Sequence, residues 1–352
     1  MSRSDVHEMA KARNDEIEIQ LKRDAMKAKK EIKMLLLGPP DSGQSKVAKH
    51  LKSLHLNGYS AQEREAYKQV IFSNTIENMH LVLQAMPQLD LPLAPQNDVQ
   101  LATILSVDPH IDIDVLPPSL AEAIHRLWRD PGVKEAVRRS REFQLDDDAI
   151  YFFNSIDRIA APDYLPTDQD ILRSRVKTTA ITETIFEHGE LTYKLFDVSH
   201  MQSDRRKWLR CFDNVEAILF LASLSGYDQM DEDECTESTR LREALTFFDS
   251  ICNSSWFANT NIILLLNDAD VFAEKLPRSP LVDYFPDYTG GDNYDAACDY
   301  ILHRFVSRNQ SAANKQIFAH YTYMSDPQQL NFVFNAMRDI LLQMHLRKTG
   351  RL

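Results

Sequence analysis

The stretch Lys33-Met34-Leu35-Leu36-Leu37-Gly38-Pro39-Pro40-Asp41-Ser42-Gly43-Gln44-Ser45 decides the fold. Its apolar run is too continuous for a half-exposed strand and fits one buried on both faces. A turn framed by Gly38 and Gly43 follows, and Val47, Ala48, Leu51 and Leu54 then recur at helical spacing. Strand, glycine-framed turn and helix in direct succession are the setting of a phosphate loop, G-x-x-x-x-G-K-[ST], which aims backbone N–H groups at phosphates. Gly38 and Gly43 keep that frame and Ser45 keeps the hydroxyl, but Gln44 stands where the Lys belongs. Taken alone, the broken motif reads equally well as a chance turn.

Outward from this stretch, four more apolar runs, Leu191 to Phe196, Val215 to Leu221, Ile262 to Leu266 and Ile317 to Tyr321, are separated by segments of helical pattern. Such alternation predicts a mostly parallel sheet in an α/β fold. Ile181 to Phe186 and Leu191 to Phe196, joined through His188-Gly189-Glu190, predict one hairpin and hence one antiparallel edge. Between about Asn57 and Asp170 the texture changes to helical patterns such as Ala61 to Ala85 and Leu120 to Trp128, which predicts an all-helical insertion. Leu330 to Leu346 reads as a terminal helix with Phe334, Met337, Leu341 and Met344 on one face. From Ser4 to about Lys30 a narrow apolar stripe on a charged background predicts a long helix covered in part by a partner.

At 352 residues the chain is long enough for two domains. A net charge of -12 without clustered Lys and Arg argues against a nucleic-acid binder. Cys211, Cys235, Cys252 and Cys298 lack disulfide-framework or zinc spacing, which points to a reduced intracellular setting. No run approaches a membrane span, and the N-terminus lacks the apolar core of a signal peptide.

Four longer segments narrow the reading: Asp170-Ile171-Leu172-Arg173-Ser174-Arg175-Val176-Lys177-Thr178-Thr179, Lys207-Trp208-Leu209-Arg210-Cys211-Phe212, Phe248-Asp249-Ser250-Ile251-Cys252-Asn253 and Arg139-Ser140-Arg141-Glu142-Phe143-Gln144-Leu145. Together with the loop they closely resemble alpha subunits of heterotrimeric G proteins, of a divergent, fungal type. The likeness runs in family order along the whole chain. It implies a Ras-like P-loop GTPase domain at 31–56 and 171–352, an inserted helical domain at 57–170 and an N-terminal helix at 1–30. It also implies GTP or GDP with Mg2+ bound between the two domains.

Carried over by position, the resemblance makes Arg175 the arginine finger that stabilises charge on the transferring phosphate, and Ser45 and Thr178 the magnesium ligands. Asp197 becomes the acid behind the metal. The remaining nucleotide-site positions are Gly38, Asp41, Ser42, Gly43, Gln44, Lys46, Arg173, His200, Asn267, Asp268, Asp270 and Met324.

Several of these depart from the family pattern. Gln44 removes a cation and its charge-assisted hydrogen bonds from the phosphates. Pro39 and Pro40 reduce the backbone donors and freedom of the cradle. Lys46 is one position late and about 100° away on the helical wheel, a poor substitute for the missing Lys. In the second switch D-V-G-G-Q has become Asp197-Val198-Ser199-His200-Met201; Met201 replaces the glutamine that orients water. His200 reads as an ordinary polar residue, with a general-base role as the alternative. The base-reading N-K-x-D is Asn267-Asp268-Ala269-Asp270, with an acid in place of Lys, and Met324 is bulkier than the alanine of the family's final base contact.

The implied function is transduction of signals from G-protein-coupled receptors through beta-gamma and effectors, with slow or lost GTP hydrolysis. The alternative is a pseudo-GTPase scaffold that binds beta-gamma or a receptor without nucleotide switching. A dehydrogenase-type fold ranks below both because its G-x-G-x-x-G turn is absent. By resemblance the N-terminal helix and the region of Lys207-Trp208 meet beta-gamma, and the tail from Arg347 to Leu352 meets a receptor. Met1-Ser2-Arg3 and a first cysteine at Cys211 encode neither lipid anchor, so attachment to the inner face of the plasma membrane is expected through partners.

Overall fold

The computed structural model describes Arg13, Glu18, Gln20 and residues 30–348, apart from 41, 56–57, 111–112, 144, 147, 177–180, 199–213, 231–237 and 324–326; at 54–55, 141, 327–330 and 348 it describes the backbone only. Of the long N-terminal helix expected at 1–30, only Arg13, Glu18 and Gln20, each helical, and Lys30 are described, and the region of Lys207-Trp208 and the tail beyond 348 lie outside the described residues.

Along the chain, β1 (Glu31–Leu37) leads into α1 (Gln44–His55). A helical stretch follows: α2 (Ala61–Ala85), α3 (Asp98–Leu105), α4 (Pro118–Leu127), α5 (Pro131–Arg138), α6 (Ala149–Asn154), α7 (Ile156–Ile159) and α8 (Asp168–Arg173). The chain then alternates: β2 (Thr182–His188), β3 (Leu191–Asp197), β4 (Ala217–Ser223), α9 (Arg240–Cys252), β5 (Asn261–Asn267), α10 (Ala269–Lys275), α11 (Leu281–Tyr284), α12 (Tyr294–Val306), β6 (Ile317–Tyr321) and α13 (Pro327–Lys348).

The strands form one six-stranded sheet in the order β2-β3-β1-β4-β5-β6. Only the β2–β3 hairpin is antiparallel, as the His188-Gly189-Glu190 turn predicts. Gly189 takes φ +62 at its tip, a left-handed conformation that glycine adopts without steric cost. The strand expected from Val215 begins at Ala217, after Asn214 turns through the left-handed region at φ 58.

Both faces of the central strands are buried, which explains their unbroken apolar runs. Leu35, Leu37, Phe220 and Leu264 face α9 and α12, where Phe248 and Phe305 pack edge to face with ring centroids 5.2 Å apart. Met34, Leu36, Leu219 and Leu265 face the opposite way, against Val47 and Leu51 of α1 and Phe334, Met337 and Leu341 of α13. Strand alternation thus divides neighbouring residues between two layers of helix.

Among the described residues between 61 and 173 there is no strand. Instead α2 carries Ile71, Phe72, Ile76, Met79, Val82 and Leu83 into a separate core, filled from the other side by Leu120, Ile124, Leu127, Val133, Phe152 and Phe153. A capping box starts α2: the Ser60 hydroxyl accepts from Glu63 N, and the Glu63 carboxylate accepts from Ser60 N. The same device, built from Thr167 and Asp170, starts α8 and brings the chain back towards the sheet. The architecture is a mostly parallel Ras-like sheet with a helical insert.

Candidate functional site

The sheet places the ends of four parallel strands side by side. Leu36 of β1 lies level with Asp197 at the end of β3, and Ser223 at the end of β4 lies level with Asn267 at the end of β5. Gly38, Asp268 and Thr322 begin the loops that leave this edge. Ligands of open α/β sheets bind in the crevice at such carboxyl ends, so topology alone gathers the loop, Asp197 and the N-K-x-D-like segment.

The loop itself needs its glycines. A Cβ on Gly38 would stand 2.4 Å from Ser42 Oγ and 2.6 Å from the Leu221 carbonyl oxygen, and Gly43 takes φ 99. Ser42 N donates to the Pro39 carbonyl at 3.3 Å, and Val47 N donates to Gly43 O at 3.1 Å, which closes the first turn of α1. Ser42 Oγ is buried and has no partner. An orphaned hydroxyl beside the N-terminus of a long helix fits an anion accepting from this loop. The frame therefore suits a phosphate group, while its expected cation does not: Gln44 is buried and its Nε2 donates to Gly38 O at 2.7 Å. The side chain in the lysine's place stitches the loop to itself.

The cations nearby are also engaged by the protein. Lys46 is ion-paired with Asp148 Oδ2 at 2.5 Å, and Arg173 Nη1 donates to Asp148 Oδ1 at 2.6 Å. Burial would lower the Lys46 pKa, but the carboxylates of Asp148, Asp268 and Asp146 outweigh it and hold the ammonium charged. Asp148 itself is buried at the start of α6. One carboxylate of the helical insert thus joins the first turn of α1 to the end of α8. Burial chiefly, with Asp148 adding to it, pushes the Asp146 carboxyl above the usual range, although Lys46 opposes the shift.

The loop that begins at Asn267 is equally tied inward. Asn267 is fully buried; its Nδ2 donates to Ser42 O at 3.3 Å, and its Oδ1 accepts from Thr322 Oγ1 at 3.0 Å. It is a strut between this loop and the phosphate loop. Asp268 adopts φ 56, ψ 38, and its Oδ2 accepts from Ser223 Oγ at 2.6 Å. Burial is the main cause that raises its pKa, with Lys46 and the Ser223 hydroxyl acting the other way. Asp270 sits in the first turn of α10, where its Oδ1 accepts from Val271 N at 3.0 Å.

Ser45 stands half-buried in the first turn of α1, and Asp197 is buried at the end of β3. Arg175 follows α8 and is exposed, and its charge lowers the Asp146 pKa. Asp41, Thr178, His200, Met201 and Met324 lie outside the described residues.

Sequence reasoning missed Asp148, Lys49 and Asn74. The acidic run Asp146-Asp147-Asp148 was a visible signal for the first, but nothing local told which phosphate-loop residue it would meet. Lys49 is buried and its Nζ donates to the Ser174 carbonyl and, at 3.1 Å, to Ser174 Oγ. Burial, aided by Lys46, pushes its pKa down to about 7. A lysine on the buried face of a helix carries no such signal in sequence.

A glycine-framed loop between strand and helix at the carboxyl edge of a Ras-like sheet, interrupted by a helical insert, defines a P-loop nucleotide-binding protein of the GTPase class. Residues 11–341 match the family described as G-protein alpha subunit, and the chain belongs to that family. It is 64% identical over 348 residues to a guanine nucleotide-binding protein subunit alpha of Coprinellus congregatus, covering 99% of this chain and 98% of that one. It is 56% identical over 342 residues to the guanine nucleotide-binding protein alpha-1 subunit of Neurospora crassa and to the G-protein complex alpha subunit gpaA of Aspergillus fumigatus, covering 97% of this chain and 96% of each. The family's members bind GTP, GDP and Mg2+ and act in heterotrimeric G-protein signalling. Among the described residues no helix is long and apolar enough to cross a membrane.

Proposed function

We propose that this chain is a transducing alpha subunit that holds a guanine nucleotide with a weakened grip on its phosphates and turns GTP over slowly. The observation that carries this reading is the Gln44–Gly38 bond: the loop keeps its anion-binding frame while the position that should reach the outer phosphates is spent inside the loop. Magnesium, when bound, would supply charge neutralisation for the phosphates, with Ser45 and Thr178 as its hydroxyl ligands and Asp197 behind them.

In this reading the chain divides into an N-terminal helix at 1–30, a Ras-like domain at 31–56 and 171–352, and a helical domain at 57–170. Gly38, Asp41, Ser42, Gly43, Gln44, Ser45 and Lys46 surround the phosphates, and Arg173, Arg175, Thr178, Asp197 and His200 close on them from the switch side. Asn267, Asp270 and Met324 frame the base. Asp268 turns to Ser223, so the base loses the cover that a lysine stem would give. Arg175 stabilises charge on the transferring phosphate, and Met201 leaves water without an orienting amide. Beta-gamma would dock on the N-terminal helix and near Lys207-Trp208, and a receptor on the tail, holding the protein at the inner face of the plasma membrane.

A second reading, a pseudo-GTPase scaffold, is favoured by the Lys46–Asp148–Arg173 bridge, which links the helical insert to α1 through protein side chains alone. Calorimetric titration of the purified chain with GDP and a non-hydrolysable GTP analogue, both with Mg2+, separates the two. The switch reading expects binding at cellular nucleotide levels. A dissociation constant weaker than about 1 mM, or about -4.1 kcal/mol, would sink it and leave the scaffold.

A further inference from the structure

Arg175 is gripped by its backbone, and both grips come from elements other than its own. Asn74, in the middle of α2, accepts the Arg175 N–H on Oδ1 at 2.7 Å and donates from Nδ2 to the Arg175 carbonyl at 3.1 Å. One side-chain amide thus brackets both polar groups of one residue, as a neighbouring β-strand would. Immediately before it, the Ser174 carbonyl accepts from Nζ of Lys49 on α1, and the Ser174 hydroxyl donates to Ile171 O at 2.8 Å. Three consecutive polar backbone groups, Ser174 C=O, Arg175 N–H and Arg175 C=O, are held by two side chains that belong to the two halves of the molecule.

The arrangement has a geometric consequence. An exposed residue just beyond a helix end has no ladder of its own to fix it, and arginine's long side chain multiplies any backbone drift at its tip. Two contacts from one rigid –CO–NH2 group hold both peptide groups that flank the Arg175 Cα, which a single contact cannot. Asn74 lies one residue before Thr75, whose side chain is buried and bonded to Ile71 O at 2.7 Å, so its place on α2 is set by the insert's core.

We infer that Asn74 is a positioning residue for Arg175, through which the helical insert places the arginine against the phosphates, with Lys49 holding the preceding peptide from the sheet side. The insert then does more than cover the cleft: swinging it away removes Asn74 from the Arg175 peptide and releases the arginine. The inference rests on the proposed role of Arg175 in nucleotide handling.

The test uses the full chain with Met201→Gln, to provide a measurable hydrolysis rate, and compares Asn74→Ala, Arg175→Ala and the double variant. Alanine suits the middle of a helix, so α2 should persist. Two quantities are read: amide hydrogen exchange at Arg175 without nucleotide, and single-turnover GTP hydrolysis. Asn74→Ala is expected to speed exchange at the Arg175 amide by roughly tenfold and to slow hydrolysis by a similar factor. In the Arg175→Ala background, adding Asn74→Ala should slow hydrolysis no further, a non-additivity that a merely structural role would not produce. Asn74→Asp, which keeps the acceptor and loses the donor, should retain protection of the Arg175 amide.

Unchanged exchange at Arg175 in Asn74→Ala, or effects of the two substitutions that multiply, overturns the inference and leaves the nucleotide reading standing. If Arg175→Ala itself leaves hydrolysis unchanged, the nucleotide reading falls and the inference with it.

Discussion

Two carboxylates of the helical insert meet the segment that leads to Arg175, and they are treated very differently. Asp170 is fully buried and takes five donors: Arg158 through both Nη1 (2.8 Å) and Nη2 (2.7 Å), Tyr151 Oη (2.7 Å), Tyr164 Oη (3.1 Å) and Thr167 N (2.8 Å). Burial alone would raise its pKa, yet these donors, Arg158 foremost, hold it down to about 2. Asp148, nearly as buried, is shared between Arg173 of α8 and Lys46 of α1. The first is a knot with every lone pair matched inside the insert. The second is a clasp between elements, surrounded by the further acids Asp146 and Asp268. The difference separates scaffold from site: where the chain must hold its shape the polar groups are saturated, and where nucleotide is proposed to bind the charges are shared or turned inward.

The knot should give the larger effect. Asp170→Ala leaves Arg158, Tyr151 and Tyr164 facing a void and should destabilise the insert by about 3 kcal/mol, read by denaturant unfolding. A carboxylate depressed to about 2 contributes stability that is fully present above its ordinary value near 4 and is lost as pH falls through 2. Wild type should therefore lose stability across that window, and Asp170→Ala should lose less.

The clasp should matter less for stability and more for opening. Asp148→Asn removes the charge that Lys46 and Arg173 share and should cost about 2 kcal/mol. It should also widen the distance distribution between spin labels placed on α4 and α12 in nucleotide-free protein. An unchanged distribution would mean that the core contacts, not the clasp, hold the halves together.

Lys49 supplies an alkaline counterpart. Its pKa is lowered to about 7 by burial first, so below that pH the folded protein carries a costly buried charge. Between 7 and the ordinary lysine value near 10.4 the unfolded chain binds the extra proton, and stability should rise with pH there. Lys49→Met should flatten that rise in a pH series of unfolding curves. The smallest effect is expected at Ser223→Ala, which removes one donor to Asp268 and should cost about 1 kcal/mol.

The fold was largely legible in the sequence because its signals are local and redundant. The apolar runs of β1, β4 and β5 are unbroken since both their faces are covered, and Ile71, Phe72, Ile76, Met79 and Leu83 recur at helical spacing within Ala61 to Ala85. The strand-end site was legible as a set of positions, since Gly38, Gly43 and Asn267 mark the loops. What those positions do with their side chains was not. That Gln44 turns onto Gly38, that Asn267 bonds Ser42 from 225 residues away and that Lys46 meets Asp148 depend on tertiary distance, to which periodicity and spacing are blind. Asn74 was invisible for the same reason, since a polar residue on a long helix normally marks a solvated face.

In the proposed reading, the family's anion-binding frame is kept while Gln44, bonded to Gly38, leaves the outer phosphates without the cation that should clamp them. Titration of wild type and Gln44→Lys, side by side, with a non-hydrolysable GTP analogue and Mg2+ tests it directly. Restoring the cation should tighten binding by about 2 kcal/mol, roughly thirtyfold, with a smaller gain for GMP, which lacks the outer phosphates. Equal affinity of the two proteins for the triphosphate, or a gain as large for GMP, would contradict it.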